Sequence, residues 1–243
     1  ERRDDLTVEL CALYNQTGQP EKALKRIASR QFQPREGGEG QALGQHVRTH
    51  LQLGRKALEQ NEAGKAVEHF ESALTAPENL SEAKHLLANQ SDIHFWLGLA
   101  RHAAGDTEGA TEAWKLAGEF KGDFQDMSVR VFSEMTLYSA LSLHRLGETG
   151  RAESLLRELL AYATDLENEV AKIDYFATSL PTMLLFEEDI QERQVTTARF
   201  MQAQAQMGLG HIEEANQLLD DVLARDPNHP LVIDLQAIKT CLS

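Results

Sequence analysis

The chain has 243 residues, with 24 Lys and Arg against 38 Asp and Glu, and a formal charge of −14. A field of that sign repels phosphate backbones and anionic lipid headgroups, so neither nucleic acid nor a membrane surface is an expected partner. No apolar run approaches the ~20 residues needed to cross a bilayer, and the shortage of aromatic residues and proline, beside abundant Ala, Leu, Glu and Gln, predicts an all-α fold.

In chain order, the sequence opens on Glu1 inside a helical pattern, which is expected of a segment cut from a longer protein. A first helical unit is predicted over about 1–34, containing LCALYNQTGQPEKALKRI. The stretch PREGGEG follows. A phosphate loop would need a preceding strand and amides unopposed by acid, and here Glu36 and Glu39 oppose an anion. Two alternatives stay open: a connection whose glycines take positive φ, or a loop in which Glu36 and Glu39 accept hydrogen bonds from a sugar or a basic partner.

The second unit is predicted over about 41–79. Within it HVRTH sets His46 and His50 one helical turn apart, a geometry able to hold a metal, but zinc-protease chemistry needs a Glu where Val47 stands. The pair is therefore expected on the surface, and neither a metal nor a cofactor is expected. The third unit, about 80–121, is predicted to begin with one long helix over 80–104, N-capped by Ser81 after Pro77. Asp92 and His94, two apart, cannot share one ligand face.

The fourth unit, about 122–165, is predicted to open with a similar long helix over 124–145. LENEVAKIDYFATSLPTMLLFEEDI then reads as an extra helix broken before Pro181, ahead of a fifth unit over about 190–226 and a capping helix over 228–242. Helices are expected throughout, with hairpins stacked in order. Cys11 and Cys241 lie far apart with no metal or disulfide spacing, which fits a reducing compartment. No nucleophile motif such as G-x-S-x-G is present, so hydrolase activity is not expected.

Five segments share one pattern: a small or apolar pair, a Gly or Asn turn, an Ala, and a larger apolar residue four positions on. Their marker alanines, Ala23, Ala66, Ala110, Ala152 and Ala215, are 43, 44, 42 and 63 residues apart. The second and third segments carry the pattern most fully, through Leu53-Gly54, Asn61, Ala66, Phe70 and Ala73, and through Leu97-Gly98, Gly105, Ala110, Trp114 and Ala117. The pattern resembles the tetratricopeptide repeat. That resemblance implies a right-handed superhelical solenoid of stacked antiparallel helix pairs, here with lengthened hairpins forming one helical-repeat domain. Gly54 is expected against Ala66 and Gly98 against Ala110, with Phe70 and Trp114 filling the gap to the next pair.

The resemblance further implies that the first helices line a concave groove holding a peptide, a partner protein or a neighbouring domain of the same chain. Its groove positions fall on Asn15, Arg48, Arg55, Asp92, Phe95, His102, Glu134, His144, Arg145, Phe200 and Gln204. The carboxylate clamp of chaperone-tail binders is not expected, because Val8, Ala12, Leu51 and Arg55 occupy its positions. PREGGEG, ENLSEAKHLLANQSDIHFW and IDYFATSLP, together with the array, resemble the C-terminal region of large bacterial proteins in which such repeats follow a β-rich domain of unknown function similar to parts of carbohydrate-processing enzymes. That second resemblance implies a bacterial, cytoplasmic or cell-associated protein. It also sets a rival to the scaffold: an accessory part of a carbohydrate-active enzyme, using Glu36, Glu39, Asp92 and Asp174 as carboxylates.

Overall fold

The computed structural model describes residues 3–33, 40–120, 122–125, 128–172 and 189–235. They divide into two compact units, Glu1–Leu116 and Ala117–Ser243. The first holds α1 (Asp4–Gln16), α2 (Pro20–Ala28), α3 (Gln41–Glu59), α4 (Ala63–Leu74), α5 (Ser91–Ala103) and most of α6 (Thr107–Glu119). The second holds a hairpin of β1 (Asp123–Gln125) and β2 (Ser128–Arg130), then α7 (Thr136–Arg145), α8 (Thr149–Asn168), α9 (Ile190–Gly208) and α10 (Ile212–Arg225). Residues 230–235 are again helical. The all-α class is as expected.

The repeated element is a turn. Gly18, Asn61, Gly105, Gly147 and Gly210 all have positive φ, from 59° to 86°. In each case the next residue's N–H donates to the carbonyl five positions back, on Tyr14, Ala57, Arg101, Leu143 and Gln206, over 2.8–2.9 Å. The positive-φ residue itself donates to the carbonyl three back, on Asn15, Leu58, His102, His144 and Met207. This is the Schellman arrangement, which satisfies the last carbonyls of a helix and needs a residue that tolerates the left-handed region. The carbonyl just past the turn then accepts from the marker alanine four residues on, for Ala23, Ala66, Ala110, Ala152 and Ala215 alike. All five alanines are at most 1% exposed. One helix stop is thereby coupled to one helix start, and the chain reverses at a fixed geometry five times.

Within the first unit α1 packs on α2, α2 on α3, α3 on α4 and α4 on α5, with α1 also against α3 and α3 against α5. In the second, α7 packs on α8, α8 on α9 and α9 on α10, with α7 against α9. The close approach differs from the expected Gly–Ala pairing. A methyl group at Gly54 would meet three ring carbons of Phe70 within 2.8 Å, and one at Gly98 would meet three atoms of the Trp114 indole within 2.8 Å. The aromatic ring therefore fills the gap inside its own helix pair, while the alanine one turn earlier is simply enclosed.

Three sequence expectations need correction. The predicted helix over 80–104 is instead a 3₁₀ turn at Glu78–Leu80, irregular backbone over 81–90, and α5. Ser81 closes the 3₁₀ turn with φ 55° and is not an N-cap. Tertiary contacts override local helix propensity there. Leu80 is buried, Asn79 Nδ2 donates to the Ile27 and Arg30 carbonyls, Ser81 Oγ donates to the Phe32 carbonyl, and Glu82 Oε2 accepts from the Leu43 N–H.

The predicted helix over 124–145 shrinks to α7, preceded by the β-hairpin, which pairs Asp123 with Arg130 and Phe124 with Val129. Gly122, at φ 73°, leaves no room for a side chain beside the Arg130 carbonyl, and the Ser133 and Thr136 side chains bond to backbone N–H groups at the start of α7. These strands were not expected, but they are three residues each and the turns at Gly105 and Gly147 on either side are intact. Finally, His46 and His50 are not a surface pair: they are 6% and 7% exposed.

The predicted helix before Pro181, the loop residues Glu36 and Glu39, Asp174 and the later part of the capping helix fall largely or wholly outside the described residues.

Candidate functional site

The first helices carry the residues named for a groove, except Glu134, which lies in the turn before α7, and their side chains separate into two groups. Asn15, Arg55, Phe95, Phe200 and Gln204 are buried between helices. Asn15 Nδ2 donates to Gln45 Oε1 and Thr49 Oγ1, both at 3.0 Å, while its carbonyl accepts from Gln52, so it fastens α1 to α3. The Arg55 guanidinium lies 5.6 Å from the centre of the Trp96 ring, a cation–π contact between α3 and α5. Gln204 Nε2 donates to the Glu134 carbonyl at 2.9 Å, and the Phe200 ring centre is 4.8 Å from that of His229. Arg48, Asp92 and Glu134 are half-buried, and His102, His144 and Arg145 are exposed or half-exposed at the ends of α5 and α7.

A grouping of three histidines and a lysine lies in the first unit and was only half visible in the sequence. His46 and His50 of α3 meet His69 of α4: ring centres are 4.5 Å apart for the first two and 5.3 Å for His50 and His69. Nδ1 of His50 is 3.2 Å from Nδ1 of His69, and His46 Nε2 is 3.1 Å from the Ser72 carbonyl. Lys84 reaches the same end of α4, donating to the Ala73 carbonyl at 2.7 Å and to Gln90 Oε1 at 2.8 Å. A lysine donating to last-turn carbonyls also meets the negative end of the helix dipole.

Burial dominates the electrostatics. It lowers His50 to about 3, with the nearby His46 and His69 adding to the effect, and lowers His46, His69 and His94 as well. Burial also lowers Lys84 to about 8, against the pull of Asp92. Among the described residues no group of three or more His, Cys, Asp or Glu converges as metal ligands. Of the carboxylates named for sugar chemistry, only Asp92 is described, and its neighbour is the Lys84 ammonium.

His69, Lys84 and His229 were not picked out from sequence. His69 had a signal: it precedes Phe70 and follows Ala66 by three on the face α4 turns to α3. Lys84 had none, because the backbone that carries it was expected to be helical.

A family model described as Tetratricopeptide repeat matches residues 197–229, a span covering most of α9, the turn at Gly210 and all of α10. The match falls on the fifth segment, where Ala203 stands in place of the pair's glycine, rather than on the fuller second and third. Two solved structures are similar over nearly the whole chain, both of nearly identical TPR-like repeats attributed to a kinesin light chain of Podosopora anserina. One, a single-substitution variant, is 16% identical and covers 98% of this chain and 96% of its own at a TM-score of 0.36; the other is 16% identical over 91% and 93% at the same score. At that score nothing further rests on the likeness.

Proposed function

We propose that this chain is a non-catalytic binding scaffold that holds a protein or peptide partner against its first helices, the partner being a separate chain or a neighbouring domain of its own. The observation that supports this most directly is the fivefold recurrence of one stop–turn–start geometry, with a tetratricopeptide repeat matched on its last copy. Such an array spends its sequence on nesting helices and leaves side chains on one helix of each pair to select a partner. Arg48, Asp92, His102, Glu134, His144 and Arg145 are the named residues that keep exposed or half-exposed side chains, and they carry the proposed contacts. The others on those helices hold the frame. Buried free Cys11 supports a reducing compartment such as the cytoplasm.

The test is affinity capture from cell lysate with the wild-type chain beside charge-reversed variants in each unit, Arg48→Glu with Asp92→Lys and, separately, Arg145→Glu. A partner retained by wild type and lost by a variant of unchanged helicity supports the reading. Full recovery of the same partner by both variants overturns the assignment of these residues.

A further inference from the structure

His50 meets His69 across α3 and α4, and His46 lies against His50 while its Nε2 faces the Ser72 carbonyl of α4. We propose that this trio is an acid-sensitive latch within the second helix pair, closed while its rings are neutral and opened when they take up protons at mildly acid pH.

The chemistry follows from counting protons. Two Nδ1 atoms 3.2 Å apart can be joined only if one carries a proton and the other a lone pair. One of His50 and His69 is therefore the Nδ1–H tautomer, and the other holds its proton on Nε2. A proton added to the accepting Nδ1 sets two N–H groups face to face and replaces the bond with repulsion. The tautomer of His46 is fixed separately. Its Nε2 faces the Ser72 carbonyl, which can only accept, so Nε2 carries the proton and Nδ1 is left as the basic site; the Ser72 and Thr75 carbonyls favour the charged ring, but burial outweighs them. Charging His46 places a second cation 4.5 Å from the His50 ring centre.

The surrounding charges do little to offset that repulsion. Lys84, from the stretch between α4 and α5, adds positive charge near His46. Glu68 is the acid acting on His69. On α5, His94 is itself pressed toward its neutral form by burial and by Lys84 and Arg101, and Asp92 faces Lys84. On α1 and α2, Asp4 pairs with Arg30 and Glu21 with Lys56. Burial lowers all three histidines below the ordinary value, so below it the unfolded chain binds more protons than the folded one. The stabilisation is complete above about pH 6.5 and declines as the pH falls. Because His46 and Lys84 both hold last-turn carbonyls of α4, opening also frees that helix end.

The experiment uses the whole chain. Long-range proton–nitrogen spectra of the histidine rings report tautomers, and hydrogen exchange corrected for its intrinsic rate reports opening, both followed from about pH 7.5 to about pH 4.5. The expected result is an Nε2–H ring at His46, opposite tautomers at His50 and His69, and an acid loss of protection in α3 and α4 of about tenfold or more, against a smaller loss in α9 and α10. His69→Gln, which keeps a hydrogen-bonding group but does not titrate, should lose less than wild type. Identical tautomers at His50 and His69, unchanged protection of α3 and α4 in acid, or an equal acid loss in His69→Gln and wild type would each overturn the latch.

Discussion

The ring of Phe70 occupies the space that a methyl group on Gly54 would take, with three of its carbons within 2.8 Å of that point. Both residues are buried in the second helix pair, and the ring has helices on either side of it, with its centre 6.3 Å from that of Trp96. Gly54→Ala should therefore destabilise the chain by about 1–3 kcal/mol through overpacking. The same holds for Gly98→Ala, which meets the Trp114 indole and threatens its hydrogen bond to the Phe95 carbonyl. Gly64 is the control: it lies in α4 with nothing within 4 Å of an added methyl, so Gly64→Ala should stabilise by roughly 0.5–1 kcal/mol. Urea denaturation of the three variants measures the signs, and a loss at Gly64 as large as at Gly54 would contradict the packing.

The marker alanines lead to a related expectation. Ala66 and Ala110 are wholly enclosed, each one turn before the aromatic residue of its pair. Leucine at either position needs three more carbons where none fit, so Ala66→Leu and Ala110→Leu should each lose roughly 1–3 kcal/mol. A melting temperature equal to that of wild type would mean that the site is open.

The turns separate backbone from packing. Gly105 and Gly147 have φ of 86° and 79°, and nothing lies within 4 Å of a methyl added to either. Gly105→Ala and Gly147→Ala should therefore cost only the left-handed backbone penalty, about 1–2 kcal/mol. At the matching position Asn61 already tolerates φ 59°, and Asn61→Gly should change stability by less than about 1 kcal/mol. A loss at Asn61→Gly larger than at Gly105→Ala would show that the Asn side chain, and not the backbone, makes that turn.

Why these features were legible in the sequence follows from their physics. A Schellman turn needs a left-handed residue, and Gly or Asn supplies it, so five such residues at matched distances from five alanines marked five real reversals. The burial of His46 and His50 was misread: their residue type and one-turn spacing point to a surface pair, although helical periodicity sets them in line with Leu43, Leu53, Gly54 and Ala57, all buried. The stretch 81–90 was not legible. It has no helix breaker, and what prevents a helix there is a set of hydrogen bonds to backbone as much as 52 residues away, donated by the Asn79 and Ser81 side chains and accepted by the Glu82 carboxylate. The hairpin before α7 was missed for a different reason: strands of three residues are too short for an alternating pattern to register. Asn15, Phe95 and Gln204 do stand on first helices, but the helix face each occupies is decided by packing partners remote in sequence, which no local pattern encodes.

Cys11 offers a test of the first helix pair that is independent of the aromatic contacts. Its side chain has no exposed surface, its Sγ lies 3.8 Å from the Ala23 carbonyl, and burial pushes the thiol up to about 11 despite the opposing charge of Arg26. Only the thiolate attacks a disulfide reagent, so in the native chain both access and ionisation are suppressed. In a Cys241→Ser background, labelling by an aromatic disulfide at about pH 8 should run at least ~100-fold slower than for an exposed thiol, and should reach one equivalent once urea passes the unfolding midpoint. Because α1 and α2 close directly over the thiol, substitutions that open this pair, such as Ala23→Leu, should speed labelling more than substitutions in α9 or α10 of equal global cost. Rapid labelling of the wild-type thiol in native buffer would show that the first pair does not close as described.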